Sequence, residues 1–190
     1  MASEEPTTSL WLVPAEPDRA ELRAHIDRLA LQQGTPTFEP HVTLVSGVVD
    51  HATVLAAVER VAADRAPLDV VAGATSHGPD RFRAVVVELD DARLHDLAAA
   101  LAGELGIPFD ADELRPHVSL LYAGGLAHDV RASIAAEHDV AGRTFRFDTL
   151  AASVPGTEID DVSRWQLPVV RALTGAPADV GSTTADDASA

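Results

Sequence analysis

The sequence predicts an α+β fold of two lobes related by a pseudo-twofold axis, each an antiparallel sheet with helices on its outer face, with a central cleft between them. Three observations predict it. Apolar residues make up 46% of the 190 residues and aromatic residues only 4%, which is typical of a globular core built from Ala, Val and Leu. The segment Pro40-His41-Val42-Thr43-Leu44 recurs 76 positions later as Pro116-His117-Val118-Ser119-Leu120. The order of strands and helices repeats with the same offset, so the repeat extends over whole lobes.

Strand and helix patterns alternate in the first half. Residues 9–13 form a short apolar run that predicts a strand, and Pro17 begins a helix that Gly34 ends. Residues 41–45 predict a second strand, after which Asp50 caps a second helix. Both helices carry apolar residues at helical spacing, namely Leu22, Ile26, Leu29 and Ala30 in the first and Val54, Leu55, Val58, Val61 and Ala62 in the second. A strand over residues 68–75 closes this half.

The second half repeats this order. A turn with the composition of a hairpin connection leads into a predicted strand at residues 82–89. The elements that follow are a helix from about Asp91 to Gly106 with Leu94, Leu97, Ala98, Leu101 and Leu105 inward, a strand at 117–122, a helix from about Leu126, and strands at 144–153 and 163–170. Beyond Leu173 the chain is small and acidic. We therefore expect one bilobal domain over residues 1–173 and a disordered acidic tail over 174–190.

Composition excludes several classes of function. Thirty acidic and fourteen basic residues give a formal net charge of −16, and none of the basic residues is lysine, which argues against non-specific binding to polyphosphates or membrane surfaces. The absence of cysteine excludes disulfides, thiolate metal sites and cysteine nucleophiles. No signal peptide, membrane span, helical zinc motif, Walker loop or dinucleotide fingerprint is present. We expect a soluble cytoplasmic protein without a metal or cofactor.

The two repeated triplets carry the chemistry that the sequence predicts. His41 and Thr43 share one face of a strand, because successive side chains alternate, and His117 and Ser119 do the same. If the axis brings the two strands together, one site holds two imidazoles and two hydroxyls. One imidazole can take a proton from water, the other can protonate a leaving oxygen, and the hydroxyls can hold phosphoryl oxygens. A structural role is the alternative for a single histidine, but duplication of the polar pair favours catalysis.

These triplets resemble the signature of the two-histidine phosphoesterase superfamily. Residues 9–14, 38–44 and 115–122 look like the corresponding segments of its cyclic nucleotide phosphodiesterase branch, and the resemblance covers residues 9–173. It implies metal-independent hydrolysis of a nucleoside 2′,3′-cyclic phosphate or an ADP-ribose cyclic phosphate to a phosphomonoester. His41 and His117 would then be the acid/base pair. Thr43 and Ser119 would bind the phosphate.

The resemblance also implies two aromatic site residues. Tyr122 matches a tyrosine that lines the family site, although three residues after Ser119 an ideal strand would turn it away, unless the strand already bends before Gly124. Trp11 matches a tryptophan near the nucleoside, with a core position as the alternative. Arginines could make the cleft less negative than the surface, and for each of them a solvated or paired position is the alternative; the candidates are Arg81, Arg83, Arg115, Arg143 and Arg146.

Two other functions stay open at this point. One is RNA-end processing, as in 2′-5′ RNA ligase-like proteins, against which the net charge and the missing lysines argue. The other is a non-catalytic module that binds a phosphorylated ligand, against which two intact triplets argue. We expect the partner to be a small-molecule cyclic phosphate rather than a long nucleic acid or a membrane. The natural substrate, the oligomeric state and the assignment of base and acid to the two histidines are not determined by the sequence.

Overall fold

The protein consists of eight strands and four helices over the residues that a computed structural model describes, which are 8–48, 51–154, 162 and 165–176. In chain order these elements are β1 (Thr8–Pro14), α1 (Asp18–Gln33), β2 (Val42–Val48), α2 (His51–Asp64), β3 (Leu68–Val71), β4 (Thr75–His77), β5 (Val85–Glu88), α3 (Ala92–Leu105), β6 (His117–Leu121), α4 (His128–Glu137), β7 (Thr144–Val154) and β8 (Gln166–Ala172). A 3₁₀ turn at Arg81–Arg83 precedes β5. The predicted α+β class is confirmed.

The strands form one strongly curled antiparallel sheet in the order β3-β7-β1-β2-β6-β5-β4, and β8 also pairs with β7. Strands β3, β7, β8, β1 and β2 make one half of the sheet, and β6, β5 and β4 make the other. The halves meet where β2 pairs with β6, through the single registered pair Val42 and Val118. The structure thus has two lobes, as the sequence predicts, but β7 and β8 from the second half of the chain lie in the same lobe as β1 and β2.

The first helix of each repeat packs on the lobe to which its preceding strand does not belong. Helix α1 follows β1 but contacts β6 more extensively than β1, and α3 follows β5 but contacts β2 and α2. The second helices complete each layer, since α2 contacts β7 and β8, whereas α4 contacts β4 and β5. Each lobe is therefore covered by helices from both repeats.

The strand register shows where the pseudo-twofold axis lies. Val42 and Val118 occupy equivalent places in the 76-residue repeat and pair directly with each other. Strands β3 and β7 are also equivalent, and Leu68 pairs with Phe147 while Val71 pairs with Thr144. Exchanging the two repeats turns the Val42–Val118 pair into itself and turns the Leu68–Phe147 pair into the Val71–Thr144 pair. One axis thus relates both pairings, and it passes between Val42 and Val118.

Helices α1 and α3 begin and end as their sequences predict. The buried residues of α1 and α3 include the predicted stripes, except that Leu105 is only partly buried. Asp91 accepts a hydrogen bond from the backbone N–H of Arg93 at the start of α3. Gly34 and Gly106 end α1 and α3 in the left-handed conformation, both with φ 65°. None of the helices in the described part of the chain is long and apolar enough to cross a membrane.

Two predicted strand boundaries are wrong. Residues 68–75 do not form one strand, because the chain leaves β3, which pairs with β7, and enters β4, which pairs with β5. Gly73 makes this crossing, and a Cβ there would lie 3.2 Å from the Glu88 carbonyl oxygen. Residues 81–83 form the 3₁₀ turn instead of a strand, since the Asp80 carboxylate accepts the N–H of Phe82 at 2.8 Å.

The C-terminal boundary can be followed to residue 176. Leu173 is buried, and the next two backbone N–H groups donate to the end of α2, from Thr174 to Ala62 and from Gly175 to Arg65. The rest of the predicted tail, residues 177–190, lies outside the described residues. So do Asp50, the predicted cap of α2, and residues 163–164 at the predicted start of the last strand.

We expect Val42→Ala and Val118→Ala each to lower the free energy of unfolding by about 2 kcal/mol, because both side chains are fully buried. The two losses should not add. Since the residues face each other across the lobe junction, the double variant should differ from the sum by at least about 0.5 kcal/mol. Urea denaturation of the three variants measures this coupling. Val170→Ala, at a half-exposed position of β8, is the control with little effect, and strictly additive losses would contradict a direct contact.

Candidate active site

The six residues singled out in the sequence line one cavity of about 360 Å³ at the junction of the lobes. Its walls include Trp11, His41, Thr43, His117, Ser119 and Tyr122. The register explains the gathering of the triplets. Because Val42 and Val118 pair antiparallel, His41 lies on the side of Ser119, and Thr43 lies on the side of His117. Their side chains share the face opposite to the two valines, which belong to the main apolar core.

Both histidines are held in the same tautomer by the backbone. Nδ1 of His41 donates to the Glu39 carbonyl oxygen at 2.6 Å, and Nδ1 of His117 donates to the Arg115 carbonyl oxygen at 2.7 Å. A carbonyl oxygen can only accept, so the proton is on Nδ1 in the neutral ring and Nε2 carries the lone pair. A proline stands between each histidine and its acceptor, which keeps the acceptor residue extended. The Pro-His dipeptide therefore orients each ring locally.

The two imidazoles lie in different surroundings. The ring of His41 is buried and stacks on Trp11, with centroids 3.6 Å apart and planes 9° from parallel. Burial lowers the pKa of His41 to about 4, and the charge of His117 acts in the same direction. His117 is only half-buried. Burial lowers its pKa too, and Arg83 adds to this, while Glu88 and Asp80 oppose it.

The hydroxyls of the two triplets also differ in burial. Ser119 is buried, and its Oγ donates to the Phe82 carbonyl oxygen at 2.8 Å. Thr43 is half-buried and lines the cavity, where its hydroxyl makes no hydrogen bond to any described residue. Burial raises the pKa of Tyr122, although its hydrogen bond with Ser119 acts in the opposite direction. All three side chains are therefore uncharged hydrogen-bonding groups at neutral pH.

Aromatic rings form the apolar wall of the cavity. The chain has two tryptophans and one tyrosine, and all three line it together with Phe82. Tyr122 reaches the cavity because β6 ends at Leu121, one residue earlier, and its ring stacks on Phe38 with centroids 3.7 Å apart. The ring centroids of Trp165 and Trp11 lie 5.5 Å apart. Trp165 was missed by the sequence analysis, and the scarcity of tryptophan was the signal that could have found it.

One of the five candidate arginines, Arg83, lines the cavity. The other four are engaged elsewhere: Arg81 lies over the Phe82 ring, Arg115 donates to the carbonyl oxygens of Asp112 and Leu114, Arg143 pairs with Glu21, and Arg146 pairs with Asp69. For Arg143 and Arg146, the paired position proposed as the alternative is the observed one. Among the described residues, no three His, Asp or Glu side chains converge as a metal site would require.

A sequence model of the 2′-5′ RNA ligase superfamily matches residues 17–152. This span is well over half of the chain and includes both triplets, so the protein belongs to the 2′-5′ RNA ligase superfamily, the two-histidine phosphoesterases. The predicted family is thereby confirmed. Membership supports an enzyme of the phosphoesterase or ligase type.

Solved structures of similar proteins share the fold. TT0787 of Thermus thermophilus superposes with a TM-score of 0.64 at 19% identity, covering 89% of this chain and 98% of that one. LigT of E. coli gives TM-scores of 0.58 in its ATP complex and 0.55 in its 3′-AMP complex, each at 16% identity and covering 90% of this chain and 99% of LigT. A comparison with curated proteins gave no match.

We expect His41 to make stability depend on pH. Its pKa is about 4 in the folded protein and 6.5 in the unfolded chain, so the unfolded chain takes up the proton first. The free energy of unfolding is therefore at its full value above pH 6.5 and decreases as the pH falls towards 4. Between pH 8 and pH 5 the loss from this group is about 2 kcal/mol.

Urea denaturation at the two pH values measures this loss as the difference between wild type and His41→Asn, which has no titrating ring. Val170→Ala, at a half-exposed position of β8 and without a titrating group, should keep the wild-type pH dependence. An unchanged pH dependence in His41→Asn would show that the buried ring titrates normally.

Proposed function

We propose that the protein hydrolyses a small cyclic phosphate, a nucleoside 2′,3′-cyclic phosphate or an ADP-ribose cyclic phosphate, to a phosphomonoester. The observation that carries the proposal is the pair of imidazoles in one cavity, each with Nδ1 bound to a backbone carbonyl oxygen. Both Nε2 atoms are left to exchange protons with a substrate. Acid/base catalysis of ring opening needs one neutral and one protonated group, placed on opposite sides of the phosphorus.

The surroundings of the two rings favour a division of roles. His41, with its strongly lowered pKa, is neutral over most of the pH range and acts as the general base. His117 keeps a larger protonated fraction and acts as the general acid. Water donates its proton to Nε2 of His41 as the new P–O bond forms. As the P–O bond to one ring oxygen breaks, Nε2 of His117 donates a proton to that oxygen.

The remaining cavity residues suit the other parts of such a substrate. Thr43 and Tyr122 are neutral hydrogen-bonding groups that can hold the phosphoryl oxygens, and Ser119 can join them when its hydroxyl turns from the Phe82 carbonyl oxygen to the phosphate. Trp165 gives a flat apolar surface against which a nucleobase can stack, whereas Trp11 is buried and one face of its ring is covered by His41. The relative LigT is known in complexes with 3′-AMP and with ATP, and a nucleotide ligand fits this mixture of polar and aromatic walls.

We expect His41→Ala and His117→Ala each to lower the rate of ring opening by about 10²- to 10⁴-fold, because each removes one positioned proton carrier. Phosphorus NMR of 2′,3′-cyclic AMP and of an ADP-ribose cyclic phosphate, with EDTA in excess, follows the reaction and identifies the product. His95→Ala serves as the matched control and should retain wild-type activity.

Turnover that survives in both site variants would overturn the site assignment. Wild type that opens neither substrate but acts on the ends of RNA oligonucleotides would point to RNA-end processing. Tight binding of the phosphomonoester without any turnover would indicate a binding module.

We expect kcat/KM to show a bell-shaped dependence on pH with its maximum on the acidic side of neutrality. Activity should rise as His41 loses its proton, with a pKa of about 4. It should fall again as His117 loses its proton, with a pKa below the ordinary 6.5. Initial rates from about pH 3.5 to about pH 9 cover both limbs. A monotonic profile, or a maximum on the alkaline side of neutrality, would contradict the two-histidine mechanism.

A further inference from the structure

The cavity contains a cation that the acid/base mechanism does not use. Its charged lining, apart from the two histidines, consists of Arg83 and Asp80 within the described residues. A cyclic phosphodiester is a monoanion, and attack by water adds a second negative charge in the transition state. The protonated ring of His117 balances one of these charges and the hydroxyl groups balance none, while the protein as a whole carries −16.

The backbone of Arg83 is fixed relative to the second triplet. Its N–H donates to the Asp80 carbonyl oxygen at 3.0 Å within the 3₁₀ turn. The same turn accepts the hydroxyl of Ser119 at Phe82 and the N–H of Ala123 at Arg81. Two hydrogen bonds therefore hold the backbone of the turn to β6 and to the residues that follow it. They place the Cα of Arg83 beside the second triplet.

The guanidinium of Arg83 has a weak partner. Its nearest carboxylate among the described residues is Glu88, whose Oε1 lies 4.0 Å from a guanidinium nitrogen, at the outer limit of an ion pair. That same Oε1 already accepts the hydroxyl of Ser76. By contrast, Arg143 binds Glu21 through two nitrogens. The Arg83 side chain is 38% exposed, and most of its N–H donors have no acceptor in the described part of the chain.

The other carboxylate that lines the cavity, Asp80, also has a hydrogen-bond partner. Asp80 accepts the N–H of Phe82 and caps the 3₁₀ turn. A second cavity, of about 310 Å³, adjoins the first and shares both Asp80 and Arg83 with it. The guanidinium thus stands at the boundary of two open spaces, where it can turn towards either without breaking a strong bond.

We propose that Arg83 is a further substrate-binding residue, whose guanidinium moves from Glu88 to the non-bridging oxygens of the phosphate held between the two triplets. The proposal rests on the proposed function for the identity of the phosphate, but the binding of the anion can be tested without turnover. Arg83 supplies both positive charge and a planar pair of donors that match two phosphoryl oxygens. Among the described residues, Glu88 is the nearest carboxylate to the guanidinium while the site is empty.

We expect Arg83→Gln to lower kcat/KM for the cyclic phosphate and the affinity for inorganic phosphate, each by about 10- to 100-fold, because a charge-assisted pair of hydrogen bonds is lost. Arg83→Lys should recover part of both, since it keeps the charge without the planar fork. Arg60→Gln, on α2 and paired with Glu104, removes one positive charge far from the cavity and should change neither quantity. Isothermal titration with inorganic phosphate measures the affinities.

Two further readouts separate substrate binding from a structural role. The upper limb of the pH profile reports on His117, which Arg83, Glu88 and Asp80 all influence. Arg83→Gln should move that limb to higher pH, and Arg83→Lys should leave it in place. Glu88→Gln releases the guanidinium, keeps an acceptor for Ser76, and should raise the affinity for phosphate several-fold.

Unchanged affinity for phosphate in both Arg83→Gln and Glu88→Gln would overturn the proposal, as would an equal loss in Arg60→Gln. If wild type binds phosphate through Arg83 but opens no cyclic phosphate, the proposed function is wrong and the anion site remains.

Discussion

The pairing of Val42 with Val118 is the constraint on which the rest of the structure depends. It is the one registered contact between β2 and β6, and it joins the two halves of the sheet at the pseudo-twofold axis. Because both valines are buried and each is the centre of a His-x-hydroxyl triplet, a single backbone register sets the apolar core below and the polar floor of the cavity above. A slip of either strand by one residue would turn the imidazole of that strand into the core and its valine into the cavity.

The symmetry of the backbone is not repeated in the side chains around it. Trp11 covers the ring of His41, whereas His117 has a cation and two carboxylates in its neighbourhood. Identical Pro-His geometry therefore produces two imidazoles with different proton affinities. Such a difference favours one assignment of base and acid, since two equal imidazoles would share a single proton equally between the two assignments.

Much of the fold and of the site could be predicted because the relevant signals are local. The repeat, the alternation of side chains in a strand and the helical stripes are all read within a few residues. The features that the sequence did not predict depend on contacts between residues far apart in the chain. Trp165 reaches the cavity only because β8 pairs with β7 on a curled sheet. The separation of β3 from β4 depends on the close approach of Gly73 to Glu88. The choice of Arg83 among five arginines depends on the 3₁₀ turn that Asp80 caps.

The exchange of first helices between the lobes has a consequence for how such a fold can arise. In a single copy of the strand-helix-strand-helix-strand unit, the first helix would lack the strand of the other lobe on which it packs, so a set of two copies is needed to bury its apolar face. Two separate, identical chains could form that set only as a symmetric dimer, with two equal histidines. Joining both copies in one polypeptide frees each to acquire its own neighbours. Covalent fusion is what allows one imidazole to gain an indole and the other a guanidinium.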